Sequence, residues 1–356
     1  MVYSMKKIKI GIVGCGRIAQ QVHIPNYIQS SKSELVALCD KNKDELDRVS
    51  RKYNVKHVFE NHQEMFESGL VEAVSVCVPT QFHSKVVVDA AAKGLHVLCE
   101  KPLADNLVEA DRILEAATKN QITFCVGYNL RFLPNHRKVK EYIEKRKIGR
   151  PVFARANLIT SGPYSLNPAF FANETEKRIG CLFDSGAHIF DLMLWLFGSP
   201  SQVSCYFSTH MEGVKVDDSA LTSMKFPSGL LGEISVSWIP ISNYNAMTTC
   251  RQIQVIGTQG ILESDIFGPS FSFYSDSSLV CKIKGKAQFT PKKFDTRVPA
   301  EALDWSYKEE IEDFLESIAS SKEPMVSGTE AREALRLTLA AYSSGKSRSS
   351  IDLDRW

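Results

Sequence analysis

The chain has 356 residues, of which 44% are hydrophobic and 24% are charged, and its formal net charge at pH 7 is +2. This composition is typical of a globular protein of about two domains, and the near-balance of charge argues against nucleic acid or an anionic membrane as the main partner. No apolar run approaches the roughly 18 residues that span a bilayer, and the first residues do not resemble a secretory signal.

The nine cysteines are scattered along the chain, and no two of them form a Cys-x-x-Cys pair. An odd number of cysteines without such pairs is typical of free thiols in a reducing compartment, so we expect a cytoplasmic protein. The same spacings do not fit a zinc site, and we expect no bound metal.

The first third of the chain alternates short apolar runs with longer amphipathic stretches. Strands are predicted at residues 7–13, 35–40, 73–78, 96–99 and 123–126, and helices at 17–30, 43–53, 84–93 and 107–119. Alternating strands and helices, with strands that are apolar on both faces, favour a parallel sheet covered by helices on both sides. A further helix at 135–147 leads to a Gly-Arg-Pro hinge at 149–151.

Beyond residue 151 the pattern changes to successive strands joined by short loops, at 152–159, 202–209, 220–226, 230–238, 251–256 and 271–274. Strands that follow one another without helices favour an antiparallel or mixed sheet. Helices are predicted at 184–197, 308–319 and 330–343. The fold class is therefore α/β, with a doubly wound first domain and a second domain built on an open, mostly antiparallel sheet.

A glycine-rich turn follows the first predicted strand and opens the first helix. Gly14 permits the tight turn, Gly16 lets the backbone approach phosphates, and Ala19 allows close packing of the helix on the strand. Asp40, at the end of the second strand, can accept hydrogen bonds from ribose hydroxyls and so favours NAD, while Lys41 beside it leaves room for NADP. The alternatives are a turn that binds no ligand and a methyltransferase.

Two other strand ends carry polar residues. Pro79, Thr80 and His83 follow the third predicted strand, and Glu100-Lys101-Pro102 follows the fourth. Ligands of a doubly wound sheet bind at the carboxyl ends of its strands, so both segments should border the cofactor. A lysine there can hydrogen-bond a reacting oxygen, although a solvated loop lysine is the simpler interpretation.

The predicted helix at 184–197 is apolar nearly all round, yet Asp184, His188 and Asp191 fall on one face at i, i+4 and i+7. Buried ionisable groups are costly unless they are paired or functional, which favours a functional role for this set. Gly186 within the same helix indicates that another group approaches closely.

With these motifs in view, the chain resembles the glucose–fructose oxidoreductase / inositol dehydrogenase / rhizopine-catabolism (Gfo/Idh/MocA) family of NAD(P)-dependent oxidoreductases. The resemblance rests on the segments 14–19 and 100–102, on Gly-Tyr-Asn-Leu-Arg-Phe at 127–132, and on residues 180–192, in the order that the family has them. Two positions depart from the family. Gly180 alone remains of a glycine cluster, and Leu130 stands where a second arginine is common.

The resemblance implies a Rossmann domain at 1–127 and a substrate-binding and oligomerisation domain at 128–356, whose last helix returns to the first domain. It implies Lys101, Asp184 and His188 as catalytic residues. The expected cofactor-binding residues are Gly14, Gly16, Arg17, Ile18, Asp40, Pro79, Thr80, His83, Glu100, Lys101 and Asn129, and the expected substrate-binding residues are Lys101, Arg131, Asp184 and His188.

The reaction expected from this resemblance is hydride transfer between nicotinamide and a secondary hydroxyl, or its ketone, of a sugar, inositol or sugar derivative. His188 takes the hydroxyl proton, Asp184 orients His188, and Lys101 polarises the oxygen, although the roles of Lys101 and His188 can be exchanged. Two alternatives remain open: an NAD-dependent glycosidase that oxidises its substrate transiently, and a nucleotide-binding sensor without catalysis. A homodimer or homotetramer through the second sheet is also implied, and Tyr164 and Asn167 are weak candidates for substrate contact.

Overall fold

The computed structural model describes residues 6–160, 180–212, 214–238, 251–266, 270–275 and 302–356. Two candidate substrate residues, Tyr164 and Asn167, lie outside these residues. The described α-helices are α1 Ile24–Gln29, α2 Lys43–Tyr53, α3 His62–Glu67, α4 His83–Ala92, α5 Leu107–Lys119, α6 Pro134–Glu144, α7 Ala187–Phe197, α8 Ala302–Ser320 and α9 Gly328–Ser347. Two π-helical segments, Ala19–His23 and Leu182–Gly186, lead directly into α1 and α7.

The described strands are β1 Ile8–Val13, β2 Ser33–Cys39, β3 His57–Phe59, β4 Ala73–Val76, β5 His96–Cys99, β6 Phe124–Val126, β7 Pro151–Ile159, β8 Gln202–Ser208, β9 Ser219–Lys225, β10 Leu231–Ser237, β11 Arg251–Gly257, β12 Gly260–Asp265, β13 Phe271–Ser275 and β14 Ile351–Asp352. They form two sheets, one in each of two compact units. The first unit comprises residues 1–129 and 304–335, and the second comprises 130–303 and 336–356.

The sheet of the first unit has the strand order β3-β2-β1-β4-β5-β6, and all of its strand pairs are parallel. This is the order of a doubly wound nucleotide-binding sheet, in which the ligand site lies outside the carboxyl ends of the strands, near β1 and β4. The predicted parallel α/β fold is confirmed. The short β3 and α3, at residues 57–59 and 62–67, were missed.

The helices α2 and α5 of the first unit begin where the sequence places a suitable cap. Asn42 accepts a hydrogen bond from the backbone N–H of Glu45 at 3.2 Å and so caps α2, which ends at the left-handed residue Asn54. Asn106 caps α5 in the same way through Glu109. Such caps satisfy the free N–H groups of a first helical turn, which fixes where α2 starts relative to the end of β2.

The sheet of the second unit has the order β13-β12-β11-β7-β10-β9-β8-β14 among the described strands. Its pairs are antiparallel except for β7 and β10, which confirms the mostly antiparallel sheet. The strands β12 and β14 were missed by the sequence analysis. One face of the sheet packs on α7, whose Ile189, Phe190 and Met193 are fully buried in the core of this unit.

Candidate active site

The glycine turn after β1 has the geometry that a pyrophosphate requires. Gly14 has a φ of +94°, and a Cβ built there would lie 2.7 Å from the carbonyl oxygen of Cys77. Gly16 is exposed, and a Cβ there would meet no atom within 4 Å. The first glycine is therefore fixed by the turn itself, whereas the second keeps open space above the backbone, where a phosphate would approach.

Asp40 lies beside this turn, at the end of β2. Its Oδ2 accepts the backbone N–H of Cys15 at 2.7 Å, and its Oδ1 accepts the N–H of Asn42 at 2.8 Å. The carboxylate thus links the glycine turn to the start of α2. Each carboxylate oxygen has a second lone pair, so Asp40 can still accept hydroxyl donors of a ribose.

After β4, Pro79 is exposed and Thr80 is partly exposed, while His83 is buried. The ring of His83 lies between two carbonyl oxygens, with Nδ1 3.0 Å from Pro102 and Nε2 2.8 Å from Val78. Burial lowers the pKa of His83, although the carbonyls and the charge of Glu100 oppose this. His83 therefore joins the loops that follow β4 and β5, and its contact with a cofactor stays a prediction.

Glu100 and Lys101 follow β5 at the same edge of the sheet. The Glu100 side chain is turned inward: its Oε1 lies 2.9 Å from Nε2 of His23, and its Oε2 accepts the backbone N–H of Lys101 at 3.1 Å. Lys101 is partly exposed and precedes Pro102 across a cis peptide bond. His23 is fully buried, and the sequence analysis did not find it because 77 residues separate it from Glu100.

Asn129 follows β6 and is 1% exposed. Its Nδ2 donates a hydrogen bond to Oγ of Ser306 in α8 at 2.8 Å. Its Oδ1 accepts no hydrogen bond from the described residues. A buried carbonyl oxygen without a donor is unusual, and this atom is suited to accept an N–H or O–H group of a bound molecule.

Asp184 and His188 lie on the π-helical segment 182–186 and on the first turn of α7. Both are partly exposed, whereas the hydrophobic residues around them are buried. π-helical turns inside helices are often found at functional sites. A carboxylate and an imidazole that both reach solvent are suited to proton transfer.

The third acid of the predicted set, Asp191, is fully buried and does not share this exposure. Its two oxygens accept hydrogen bonds from Nε and Nη2 of Arg131, at 2.9 and 2.6 Å. A buried carboxylate requires such a counter-charge. The expectation that Arg131 binds the substrate is weakened by this pairing, because Arg131 is 1% exposed and its guanidinium is hydrogen-bonded to Asp191.

The start of the same helical segment is held by Asp217, which the sequence analysis also missed. Its Oδ2 accepts the N–H of Leu182 at 2.8 Å and a hydrogen bond from the thiol of Cys181. Burial raises the pKa of Asp217, and the Leu182 hydrogen bond opposes that rise. A Cβ on Gly186 would lie 3.3 Å from Leu182 and 3.6 Å from Phe190, and the close approach of another group to this turn stays a prediction.

Among the described residues, no group of three or more His, Cys, Asp or Glu side chains is arranged to hold a metal ion. Nor is any described helix both long and apolar enough to cross a membrane. The residues of the first unit do fit a dinucleotide, because the open space over Gly16, the turn at Gly14 and the carboxylate of Asp40 lie together at the carboxyl edge of β1 and β2.

These features define a Rossmann-type dinucleotide-binding protein. A family described as an oxidoreductase family with an NAD-binding Rossmann fold matches residues 8–128, and the GFO/IDH/MocA C-terminal domain matches residues 136–263. The chain belongs to the GFO/IDH/MocA family of NAD-binding oxidoreductases.

Relatives match the chain along nearly its whole length. Myo-inositol 2-dehydrogenase of Thermotoga maritima is 29% identical, with 98% of this chain and 99% of the relative covered. The scyllo-inositol 2-dehydrogenase (NAD(+)) of Bacillus subtilis is 25% identical, with 98% and 97% covered. The crystal structure of a probable dehydrogenase from Thermotoga maritima, 28% identical, superimposes with a TM-score of 0.79 and covers 98% of this chain and 100% of its own.

Proposed function

We propose that this protein is an NAD-dependent dehydrogenase that oxidises a secondary hydroxyl of an inositol, a sugar or a sugar derivative, or reduces the corresponding ketone. The observation that carries the proposal is the family membership of both parts of the chain, together with a partly exposed Lys101, Asp184 and His188. The names of two nearly full-length relatives, both inositol 2-dehydrogenases, favour a polyol ring as substrate.

In this proposal the nicotinamide, when bound, exchanges a hydride with the substrate carbon. His188 takes the hydroxyl proton as that carbon is oxidised, and Asp184 orients the imidazole and stabilises its charge. Lys101 donates a hydrogen bond to the same oxygen and stabilises the charge that develops on it. In the alternative assignment, Lys101 takes the proton and His188 stabilises the oxygen, so the same residues are involved.

The test is to mix the purified protein with NAD and a panel of inositols, sugars and sugar nucleotides, and to follow the absorbance of reduced nicotinamide. We expect substrate-dependent NADH formation with at least one polyol, and Lys101→Ala should lower kcat by about 100-fold or more. Lys93→Ala is the matched control, because Lys93 lies on the surface beside Glu67 and should leave kcat unchanged. Wild-type turnover by Lys101→Ala would contradict the proposed mechanism.

NAD is the proposed cofactor in preference to NADP because Asp40 is a carboxylate where a 2′-phosphate would bind. Lys41 is the neighbouring cation, and its Nζ lies 5.4 Å from the centre of the Phe82 ring. It is available to bind a phosphate only if it leaves this ring. Substitution of Asp40 tests the preference, as argued in the Discussion.

We further propose a homodimer or homotetramer formed through the second sheet, and a cytoplasmic location. The outward face of that sheet carries exposed apolar side chains on neighbouring strands, Tyr206 on β8, Leu221 on β9 and Leu231 on β10. A reducing compartment is supported by the seven described cysteines, all of which are buried free thiols.

A further inference from the structure

One buried histidine of the first unit has no role in the proposed mechanism. His23 is the last residue of the π-helical segment that follows the glycine turn, and its side chain is fully buried. Its two ring nitrogens contact different groups: Nε2 lies 2.9 Å from Oε1 of Glu100, and Nδ1 lies 3.2 Å from Oγ of Ser75. Each nitrogen therefore has a separate partner whose loss can be studied alone.

The Glu100 carboxylate is enclosed by these contacts. Its second oxygen accepts the backbone N–H of Lys101 at 3.1 Å, and a Cβ on Gly127 would lie 3.4 Å from that same oxygen. Glu100 is 9% exposed. The carboxylate thus bridges a buried ring on one side and the backbone of Lys101 on the other.

The surroundings of Glu100 favour the charged form of its carboxyl group. Burial by itself raises the pKa of Glu100, but the hydrogen bond and charge of His23, together with the charge of Lys101, outweigh burial and hold the pKa below its usual value. Hydrogen bonds to a charged acceptor are the stronger and more directional ones. The His23–Glu100 contact is therefore suited to hold a loop in one conformation.

We propose that His23 is a positioning residue for Lys101: it fixes the Glu100 carboxylate, which in turn fixes the backbone N–H of Lys101 and so the direction in which the lysine side chain leaves the loop. This inference rests on the proposed role of Lys101 in the reaction. The π-helical segment Ala19–His23 would then have two roles: its N-terminus faces the phosphate site, and its last residue positions Lys101.

The hydrogen-bond chain that starts at Nδ1 of His23 does not reach solvent within the described residues. Ser75 Oγ lies 2.7 Å from the hydroxyl of Tyr27, and Tyr27 is fully buried. The branch from Nδ1 therefore ends inside the first unit, and loss of Ser75 should leave the Glu100 contact of His23 in place. This gives a control on the same ring.

Three variants separate the two ring contacts. In His23→Gln the side-chain amide can reach the place of Nε2 and donate to Glu100, whereas in His23→Asn the shorter amide can reach only the place of Nδ1, toward Ser75. Ser75→Ala removes the partner of Nδ1 alone. Thermal unfolding of all three checks that each variant folds.

The first measurement is hydrogen exchange of the Lys101 amide, read at single-residue resolution on the free protein. We expect exchange to be about tenfold faster in His23→Asn, because the acceptor of that N–H loses its anchor, and near wild type in His23→Gln and Ser75→Ala. Unchanged exchange in His23→Asn would overturn the proposal. Equal acceleration in all three variants would also overturn it, because exchange would then not depend on the contact between His23 and Glu100.

The second measurement is turnover with the polyol that gives the highest rate in the panel. His23→Asn should lower kcat about tenfold with the dissociation constant of NAD unchanged, and a deuterium on the reacting carbon should give a larger isotope effect on kcat, because hydride transfer becomes slower. An unchanged kcat in His23→Asn would overturn the inference. Wild-type turnover by Lys101→Ala would instead defeat the proposed function, while the exchange result would stand.

Discussion

At the scale of single residues, the proposed preference for NAD over NADP rests on Asp40. Replacement by serine in Asp40→Ser removes the charge that repels a 2′-phosphate and the acceptor of the ribose hydroxyls. We expect kcat/KM for NAD to fall by about tenfold or more, since a hydrogen bond to a charged group contributes about 1.5–3 kcal/mol. The kcat/KM for NADP should fall less or rise. Initial rates with both cofactors measure the ratio of the two kcat/KM values.

The matched control for this experiment is Asp47→Ser. Asp47 belongs to α2, and its backbone carbonyl oxygen accepts a hydrogen bond from Nε of Arg51. It should leave both values of kcat/KM near wild type. If Asp40→Ser changed kcat/KM for NAD and for NADP by the same factor, Asp40 would only connect the backbones of Cys15 and Asn42 and would not contact the ribose.

The place of Asp40 beside the glycine turn could be predicted from the sequence, because both belong to one β-α-β unit of regular spacing. The same is true of Gly14 and Gly16, whose conformations follow from the turn itself. His23 could not be predicted as a partner of Glu100, nor Arg131 as a partner of Asp191, since 77 and 60 residues separate them. Such pairs depend on how helices pack, which a local pattern does not encode.

At the scale of elements, the position of Asp184 and His188 depends on how their helix starts. Gly180 packs against Asp217, which accepts the N–H of Leu182, and a Cβ at position 180 would lie 2.7 Å from the carbonyl oxygen of Asp217 and closer still to its carboxylate. Gly180→Ala should therefore cost about 2 kcal/mol of stability and lower kcat, because the cap is displaced.

Gly186→Ala is the control within the same helix. A Cβ there would be 3.3 Å from the flexible side chain of Leu182, and alanine favours a helix over glycine by about 1 kcal/mol. Urea unfolding and steady-state rates on both variants make the comparison. Equal losses of stability and kcat in the two variants would show that the contact with Asp217 does not set this helix.

A second element-scale property is the dependence of stability on pH. His136 of α6 is fully buried between the carbonyl oxygens of Leu130 and Asp265, at 2.8 and 3.2 Å. Burial lowers its pKa from 6.5 to about 4, against the opposing effect of the two carbonyls. The unfolded chain therefore takes up a proton at this histidine before the folded protein does.

Stability contributed by neutral His136 is complete above pH 6.5 and is lost as the pH falls toward about 4. A difference of this size corresponds to about 3 kcal/mol in the free energy of unfolding. His136→Gln keeps an N–H donor without a titrating ring, so its unfolding free energy should fall less over the same interval. Urea unfolding at several pH values measures how the unfolding free energy of the wild type and of His136→Gln changes with pH. The same pH dependence in both proteins would contradict a contribution from His136.

The predicted strands of the first unit that proved correct, such as β1, β5 and β6, are mostly buried and so read as continuous apolar runs. The missed strand β3 has three residues, of which His57 and Val58 are exposed, and β14 has only two residues. The π-helical turns before α1 and α7 insert a residue without changing the apolar pattern, so the sequence predicted uninterrupted helices there. Asp184 therefore lies on a π-helical turn and not on the regular α-helix that was expected.

At the scale of the whole molecule, the chain forms two compact units and contributes two separate segments to each of them. The predicted boundary between residues 127 and 128 lies close to the observed one between 129 and 130, but residues 304–335 also belong to the first unit. In that unit Asn129 bonds to Ser306, and Arg332 forms an ion pair with Asp111. Contacts between residues so far apart in sequence do not change the local composition. The sequence therefore does not mark residues 304 and 335 as boundaries between the units.

The outward face of the second sheet gives the last prediction. Tyr206 and Leu221 pair across β8 and β9 with exposures of 73% and 47%, and Leu231 on β10 is 51% exposed. Exposed apolar side chains on a sheet face are stabilised when a second copy covers them, and a stable interface buries roughly 1,600 Å² in total. We expect a dimer or tetramer by light scattering, and monomers for the double variant Tyr206→Lys, Leu221→Glu.

Val108→Glu places a charge on an apolar residue of the first unit that is 64% exposed, and it should leave the assembly intact. Dissociation should also lower the midpoint of thermal unfolding and make that midpoint independent of protein concentration, because folding is then no longer coupled to association. A wild-type monomer, or a double variant that assembles as the wild type does, would exclude this sheet face as the interface. The loss of assembly by Val108→Glu as well would place the interface on the first unit.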